Sequence, residues 1–139
     1  VYSFTSRIQA NMNIIFDTDV LIDILRNREE TALQVEDALE NADTLACSVV
    51  TVGEIFAGVR KGEEESTKYI LDSLTKIDVG EEIAEYAGNL KRNTKSHSLF
   101  LDDCMIAASA ILSDSVLFTK NAKHYPFKNL KIRVIKSKT

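Results

Sequence analysis

The sequence lacks the features that mark secreted, membrane-spanning and multidomain chains. Its 139 residues include two cysteines, one proline and no tryptophan, and no repeat or linker-like stretch interrupts the pattern. No apolar run approaches the roughly 20 residues that a membrane-spanning helix needs. The N-terminal residues lack the apolar core of a signal peptide. These absences predict a single domain in the reducing cytoplasm, with no membrane partner and no disulfide framework.

Residues 1–11 precede the first regular pattern of the chain. Met12 stands directly before a strand-like apolar run, and the remaining length suits one domain with one hydrophobic core. We therefore expect residues 1–11 to be a leader or an added extension. Residues 12–139 are expected to form the folded domain.

Short apolar runs alternate with amphipathic segments along residues 12–139. The apolar runs predict strands at 13–16, 44–48, 75–79, 116–119 and 130–135. The amphipathic segments predict one helix that begins near Thr18 and others at 31–40, 50–60, 69–74, 81–92 and 102–112. This alternation predicts an α/β fold with a mostly parallel central sheet of about five strands and helices on both faces.

Polar residues stand at the ends of four separate apolar segments: Asp17, Glu54, Asp103 and Asn121. In a parallel sheet such positions converge beyond the carboxyl ends of the strands. Carboxylates brought together there repel one another, and a bound divalent cation would offset that repulsion. Each residue alone has a plainer interpretation as a helix cap, an exposed helix residue or a turn residue. Their matching positions together favour a metal-dependent enzyme.

The donor types favour Mg²⁺ or Mn²⁺, because both are hard cations that prefer oxygen ligands. Asp17 and Asp103 are the strongest candidate ligands. Glu54 is expected to bind the metal through a water molecule or to act as a general base. Asn121 cannot ionise, so it would orient a water molecule or a neighbouring carboxylate. A cation held in this way suits in-line attack of water on a phosphodiester.

The charge of the chain is distributed unevenly. The formal net charge is −4, yet residues 115–139 contain seven basic residues and no acidic ones. A basic tail on an acidic body suits contact with phosphates or with an acidic partner. The alternative is a solvated edge strand that lysines protect from pairing with other chains.

Four motifs in order resemble those of the PIN-domain ribonucleases, and more closely those of the VapC-type toxins of toxin–antitoxin pairs. The family opening D-T-N/D-V-L-I-D is matched by residues 17–23, and T-x-x-E-I/L-x-x-G is matched by residues 51–58. The third motif, D-x-x-I-A-A, is matched by residues 103–108. The last, T-x-N/D followed by an aromatic residue, is matched within residues 119–125. The resemblance extends over residues 12–134.

This resemblance implies a Mg²⁺- or Mn²⁺-dependent endoribonuclease toxin that a cognate VapB-type antitoxin controls and that usually forms a homodimer. Many relatives cut transfer RNA or ribosomal RNA. The chain departs from the usual pattern at Asp19, where asparagine is common, and at Asn121, where some relatives carry a fourth acid. The second departure leaves the number of metal ions open. The implied catalytic residues are Asp17, Glu54, Asp103 and Asn121, and the supporting residues are Thr18, Asp19, Asp102 and Thr119.

Basic residues beside the fourth predicted strand are candidates for contact with RNA: Lys120, Lys123, His124 and Lys128. Contacts with phosphates would make binding sensitive to salt. The sequence lacks an evident platform of aromatic residues on which bases could stack. RNA as the substrate therefore follows mainly from the family resemblance.

Two other functions compete with this interpretation. The D-x-D opening at Asp17 and Asp19 is also similar to that of the haloacid-dehalogenase phosphatases, in which the first Asp is a nucleophile and the second a general acid. Those enzymes place a lysine before a late acidic pair, whereas here Asp102 and Asp103 precede Lys120. The second alternative is a PIN module that holds RNA or protein without cutting, which the three carboxylates of the acidic site disfavour.

Overall fold

The computed structural model describes residues 2–3, 12–95 and 99–137 and contains, within these ranges, one sheet of six parallel strands and six α-helices. The strands are β1 (Tyr2–Ser3), β2 (Asn13–Phe16), β3 (Thr44–Ser48), β4 (Thr75–Ile77), β5 (Val116–Thr119) and β6 (Lys131–Val134). The helices are α1 (Thr18–Leu25), α2 (Glu29–Asn41), α3 (Val49–Ala57), α4 (Glu64–Asp72), α5 (Glu81–Asn93) and α6 (Leu101–Leu112), and a short 3₁₀ helix (Ala122–His124) follows β5. The strand order β1-β6-β5-β2-β3-β4 confirms the predicted α/β fold.

The sheet has six strands where the sequence predicts about five. Tyr2–Ser3 pair in parallel with β6, in register Tyr2 to Lys131 and Ser3 to Ile132. Part of the segment expected outside the fold therefore contributes an edge strand. A two-residue edge strand needs only backbone hydrogen bonds and leaves no apolar periodicity to detect. The rest of residues 1–11 lies outside the described residues, and the domain boundary at Met12 stays a prediction.

The helices agree with the predicted ranges within three residues at either end, except α4. The segment predicted at 69–74 instead covers Glu64–Asp72 and starts after a turn in which Gly62 has φ +91. Its first turn is acidic, which suits the positive end of the helix dipole. Only Thr67 and Leu71 of α4 are buried, so the apolar pattern locates just its second half. None of the helices in the described ranges is long and apolar enough to cross a membrane.

The two faces of the sheet bury separate sets of apolar side chains, because successive residues of a strand point to opposite faces. On one face Phe16 and Phe118 meet edge to face, with ring centroids 5.7 Å apart. On the other face Leu117 and Ile132 belong to a cluster with the alanines of α6. Burial of one such large side chain contributes about 1.5–3 kcal/mol. Packing on both faces therefore fixes β2 and β5, and with them the residues that follow these strands.

The strand order places a switch point between β2 and β5. From β2 the chain runs outward through β3 to β4, and it then returns to β5 on the other side of β2. Ligands of open parallel sheets bind beyond the carboxyl ends of the strands at such a point. Asp17 follows β2 and Thr119 ends β5, so both lie there.

Candidate active site

Two groups of polar side chains meet beyond the carboxyl ends of β2 and β5. Four of the residues within three positions of the end of one of these strands form the strand-end group: Asp17, Asp19, Thr119 and Asn121. Carboxylates carried by α3 and α6 form the helix group: Glu54, Asp102 and Asp103. Thr18, the first residue of α1, connects the two groups. The residues that the sequence predicts as catalytic are thus brought to one edge of the sheet.

Hydrogen bonds fix the strand-end group. The Asp17 carboxylate caps α1 by accepting from the Thr18 backbone amide at 2.8 Å, and its other oxygen accepts from Thr119 Oγ1 at 2.7 Å. The Asn121 backbone amide donates to Thr119 Oγ1 at 3.0 Å, and Asn121 Nδ2 donates to Asp19 Oδ2 at 3.1 Å. Both oxygens of the buried Asp17 carboxylate therefore have protein partners, which hold it in one orientation.

Glu54 joins the site through the hydroxyl group of Thr18. Thr18 Oγ1 donates to Glu54 Oε1 at 2.6 Å and lies 3.0 Å from Thr51 Oγ1, one turn earlier on α3. Ser48 ends β3 and also caps α3, because its Oγ accepts from the Val50 backbone amide at 3.1 Å. The helix therefore starts directly at the end of a central strand, and this start directs Glu54 toward α1.

Asp102 and Asp103 lie in the first turn of α6, where the helix dipole favours negative charge. Asp102 Oδ1 accepts from the Asp103 backbone amide at 3.0 Å. Asp103 Oδ2 lies 3.4 Å from His124 Nδ1 in the 3₁₀ helix after β5. Asp103 therefore reaches from α6 toward the loop that carries the strand-end residues.

Burial and mutual repulsion raise the pKa values of three carboxyl groups. Burial, with the charge of Asp17, raises the pKa of Asp19 to about 6. Burial, with the charges of Asp102 and Asp17, raises the pKa of Asp103 to about 6. Burial also raises the pKa of Glu54 to about 7, with the help of the neighbouring Asp102. The carboxylates thus share a negative field that the cations of the described residues do not fully neutralise.

Tyr125 is a buried residue of this site to which the sequence assigned no role beyond its place in the fourth motif. Its side chain is fully buried, and its hydroxyl group makes no hydrogen bond of ordinary length to any described residue. After burial itself, the charges of Asp17 and Asp103 are the main causes that raise its pKa. Buried polar atoms usually have hydrogen-bond partners. The unpaired hydroxyl group of Tyr125, beside two acids, is an exception. The aromatic position of the motif was the signal that could have identified it.

The donor set fits a hard divalent cation in its chemistry. The donors are oxygen atoms, which hard cations prefer. The pKa values of Glu54 and Asp103 are raised, partly by neighbouring acids whose repulsion a cation would offset. The hydroxyl group of Tyr125 is unpaired nearby. In the described part of the chain, no group of three or more Asp, Glu, His or Cys side chains is spaced to hold one ion. Joint ligation by Asp17, Glu54 and Asp103 would therefore require side-chain rotation.

The basic residues predicted to contact RNA lie in different environments. Lys120 Nζ forms an ion pair with Asp23 Oδ2 at 2.8 Å, so its charge is already paired within the protein. His124 lies against the acidic site. Lys123 and Lys128 are exposed. The two exposed lysines are therefore better placed than Lys120 to contact phosphates, and the contact with RNA stays a prediction for all four.

Asp23 is a second residue that the sequence left without a role. Its buried carboxylate accepts from Thr31 Oγ1 at 2.6 Å and from Lys120 Nζ at 2.8 Å. Burial alone would raise the pKa of Asp23, but the hydrogen bonds from Lys120 and Thr31 outweigh it and leave the pKa below its usual value. Asp23 thereby ties α1 and α2 to the loop after β5. It is the last acid of the first motif, and that position was its signal in the sequence.

Comparison with known proteins places the chain in a family. The sequence profile of the PIN domain matches residues 14–131. Ribonuclease VapC10 of Mycobacterium tuberculosis is 36% identical over 124 residues, which cover 85% of this chain and 90% of that relative. A toxin–antitoxin complex from Klebsiella pneumoniae contains a chain with TM-score 0.72 and 28% identity, covering 85% of this chain and 95% of that one.

A second solved structure agrees with these matches. VapBC2 from Rickettsia felis, bound to a DNA fragment from their promoter, contains a chain with TM-score 0.72 and 25% identity, covering 87% of this chain and 97% of that one. Matches to named ribonucleases and toxin–antitoxin complexes give no support to the phosphatase alternative or to a module without nuclease activity. From the four motifs, the parallel sheet and these matches together, the chain belongs to the PIN-domain family and, within it, to the VapC ribonucleases.

Proposed function

We propose that this chain is a divalent-metal-dependent endoribonuclease toxin that hydrolyses RNA phosphodiester bonds under the control of a cognate VapB-type antitoxin. The observation that carries the proposal is the meeting of Asp17, Glu54 and Asp103 at one edge of the sheet, where burial and repulsion raise the pKa of Glu54 and of Asp103. The name of the VapC10 relative supports RNA as the substrate. The Klebsiella and Rickettsia complexes support an antitoxin partner.

Each main carboxylate has a separate part in this proposal. Asp17 and Asp103 would hold Mg²⁺ or Mn²⁺ directly, while Glu54 would hold it through a water molecule or act as the general base. When bound, such a cation supplies neutralisation of charge on the phosphorus oxygens and a bound water of lowered pKa. Thr119 keeps Asp17 oriented through its hydroxyl hydrogen bond, and Thr18 does the same for Glu54.

Asp19, Asp102 and Asn121 support these residues. Asn121 Nδ2 donates to Asp19 Oδ2, which keeps this extra carboxylate beside Asp17. Asp102 sits next to both Asp103 and Glu54 and raises the pKa of each. These contacts crowd acidic side chains together, and a crowded acidic site attracts a divalent cation more strongly than a monovalent one.

The partners in the proposal follow from charge and from the family. Lys123, Lys128 and His124 would contact phosphates of the RNA near the loop after β5. The RNA would be of the transfer or ribosomal class, the toxin a homodimer when free of antitoxin, and the setting the cytoplasm. The identity of the family, together with the exposure of Lys123 and Lys128, supports this part of the proposal.

Cleavage of total cellular RNA by the purified chain is the direct test. We expect cutting with Mg²⁺ or Mn²⁺ and none with a chelator, and the fragment ends would identify the target. The variant Asp103→Asn keeps the size of the side chain but removes its charge, so we expect no cutting. Asp43→Asn is a matched control, because Asp43 is exposed just before β3, at the opposite edge of the sheet.

Contaminating nuclease is excluded if the parent and Asp43→Asn cut RNA and an identically purified Asp103→Asn sample does not. Equal cutting by the parent and Asp103→Asn would contradict the proposed site. Tight Mn²⁺ binding by calorimetry, without cleavage of any RNA by antitoxin-free chain, would indicate a PIN module that binds without cutting.

A further inference from the structure

Phe100 is an exposed apolar residue that neither caps a helix through its side chain nor packs in the core. It occupies the N-cap position of α6, where Ser, Thr, Asp and Asn are preferred because their side chains accept backbone hydrogen bonds. Phe100 makes no such cap hydrogen bond, and 61% of its surface is exposed to solvent. Leu101, the next residue, is also 43% exposed. Neither capping of the helix nor burial in the core accounts for an aromatic ring at this position.

The backbone that carries the ring is held on both sides. Leu99 is buried in the core between α5 and α6, and its carbonyl oxygen accepts from Lys91 Nζ at 2.7 Å. The carbonyl oxygen of Phe100 accepts from the Cys104 backbone amide at 3.1 Å, as the first hydrogen bond of α6. The backbone that carries the exposed ring is therefore held before any partner binds, which lowers the entropic cost of contact.

Phe100 lies beside the acidic site. It is the N-cap residue of α6 and precedes Asp103, in the first turn of that helix, by three positions. The ammonium group of Lys91 lies next to the same segment of backbone and can make further hydrogen bonds beyond the one to Leu99. An exposed ring, a cation and the carboxylates of the site are thus adjacent. This combination suits one nucleotide of a nucleic acid. Its base would contact the Phe100 ring, and its phosphate would contact Lys91.

We infer that Phe100 is a substrate-binding residue whose ring stacks on an unpaired RNA base next to the phosphodiester that the acidic site cuts. The inference rests on the proposed ribonuclease function and assigns a substrate contact to a residue outside the acidic site. In a duplex both faces of each base are already stacked, so the ring has no face to contact. Stacking tolerates any base, so Phe100 selects unpaired RNA rather than a particular sequence.

Fluorescence of a stacked base tests the inference directly. The full chain carrying Asp103→Asn, which cannot cut, is titrated with a short single-stranded oligoribonucleotide of mixed sequence containing 2-aminopurine. We expect tight binding with quenched fluorescence. Adding Phe100→Ala should weaken binding by roughly five- to a hundred-fold, the range for loss of one base–aromatic stack, and abolish the quenching. Phe100→Trp should preserve both, and Phe100→Leu should behave like Phe100→Ala because it keeps apolar bulk without a ring.

Leu112→Ala is the matched control, because Leu112 is 40% exposed at the far end of the same helix, and it should change neither signal. If the Asp103→Asn chain binds the probe equally with and without Phe100→Ala, while the parent cuts total RNA, the inference is wrong and the proposed function stands. If the parent neither cuts nor binds RNA, the proposed function and the inference about Phe100 are both wrong. If Phe100→Ala changes only the oligomeric state, the ring belongs to a protein interface and the inference is again wrong.

Discussion

The strand-end group and the helix group both bring carboxylates to the site, but different forces hold them there. In the strand-end group both oxygens of Asp17 accept hydrogen bonds, and Asp19 accepts from Asn121. In the helix group Glu54 accepts one hydrogen bond, from Thr18, and burial beside other acids raises the pKa of Glu54 and of Asp103. Hydrogen bonds therefore fix the Asp17 carboxylate, whereas Glu54 and Asp103, like Asp19, keep a pKa that burial beside other acids raises.

The elements that carry the two groups explain this difference. β2 and β5 are neighbours in the sheet, so ladder hydrogen bonds hold their ends about 4.8 Å apart. A hydroxyl group at the end of β5 can therefore reach a carboxylate after β2. The acids of the helix group are carried by two different helices, α3 and α6, and no strand ladder joins these helices. Burial, together with the neighbouring acids, raises the pKa values of Glu54 and Asp103.

The largest expected effect is the loss of activity in Glu54→Gln. The variant keeps an oxygen that can accept from Thr18 but loses the charge and the basicity of the carboxylate. We expect metal-dependent RNA cleavage to fall by at least roughly a hundred-fold, the scale of losing one group that stabilises charge in a transition state. The initial rate of RNA cleavage measures this, with circular dichroism to verify the fold.

Glu85→Gln provides the control for Glu54→Gln, because Glu85 is exposed on α5. It removes the same charge from the chain, so its rate should equal that of the parent. If Glu54→Gln cleaves RNA at the parental rate, Glu54 takes no part in the reaction. Asp103 would then be the one functional acid of the helix group.

The strand-end group should respond in stability as well as activity. Thr119→Val keeps the shape of the buried side chain but removes the donor to Asp17 Oδ2 and the acceptor for the Asn121 amide. Leaving these groups unpaired should lower the free energy of unfolding by about 1–3 kcal/mol. Activity should fall by about 10–100-fold, as for other groups that orient a metal-binding carboxylate. Urea unfolding and RNA cleavage rates provide the two measurements.

Thr75→Val, in the exposed first position of β4, makes the same chemical change away from the site and should leave both measurements unaltered. If Thr119→Val is as stable and active as Thr75→Val, the hydrogen bonds of the strand-end group do not hold Asp17 in place. The contrast between the two groups would then be wrong.

The strand-end group was the more predictable half of the site. A polar residue just after a buried strand can be located from the apolar run alone, which is why Asp17 and Asn121 were identifiable. The fold was predictable for the same reason, since β2, β3 and β5 are apolar runs of the predicted lengths. Glu54 and Asp103 lie on helices, and their places beside apolar segments singled them out as well. The family motifs supported these two more strongly, because helical periodicity alone does not say which acid faces a site.

Other features depend on contacts between distant positions and left no local pattern. The ion pair between Lys120 and Asp23 joins residues 97 positions apart, and the sequence around neither residue predicts this contact. The orphaned hydroxyl group of Tyr125 is visible only once Asp17 and Asp103 are placed around it. The exposure of Phe100 likewise requires knowledge of where α6 begins.

The buried acids of both groups should also make the stability of the metal-free chain depend on pH. Asp103 and Glu54, together with Asp19, have pKa values of about 6 to 7 in the folded chain, above the ordinary value near 4. The folded state therefore binds these protons more tightly than the unfolded state does. Their contribution to stability is fully present below about pH 4 and is lost as the pH rises through about 6 to 7.

We therefore expect the melting temperature in the presence of a chelator to be lower at about pH 7.5 than at about pH 5.5, by a few degrees. Asp23 does not oppose this trend, because its pKa is lowered and it stays ionised throughout that interval. Glu54→Gln should reduce the difference, and Mg²⁺ or Mn²⁺ should raise the melting temperature most at the higher pH. Scanning fluorimetry measures all three. A chain that is more stable at the higher pH without metal would show that the acids are not crowded.

The smallest expected effects concern the lysines near the strand-end group. Lys123 and Lys128 are exposed, whereas the charge of Lys120 is paired with Asp23. If the exposed lysines contact phosphates, Lys123→Ala and Lys128→Ala should each reduce the slope of log affinity against log salt by about 0.7, the value per phosphate for single strands. Lys120→Met should leave that slope unchanged and instead lower the melting temperature, because it leaves the buried Asp23 carboxylate without its cation. Filter binding of RNA to the Asp103→Asn chain at several salt concentrations separates these outcomes. If only Lys120→Met reduces the slope of log affinity against log salt, the assignment is reversed. Lys120 would then contact a phosphate, and Lys123 and Lys128 would not.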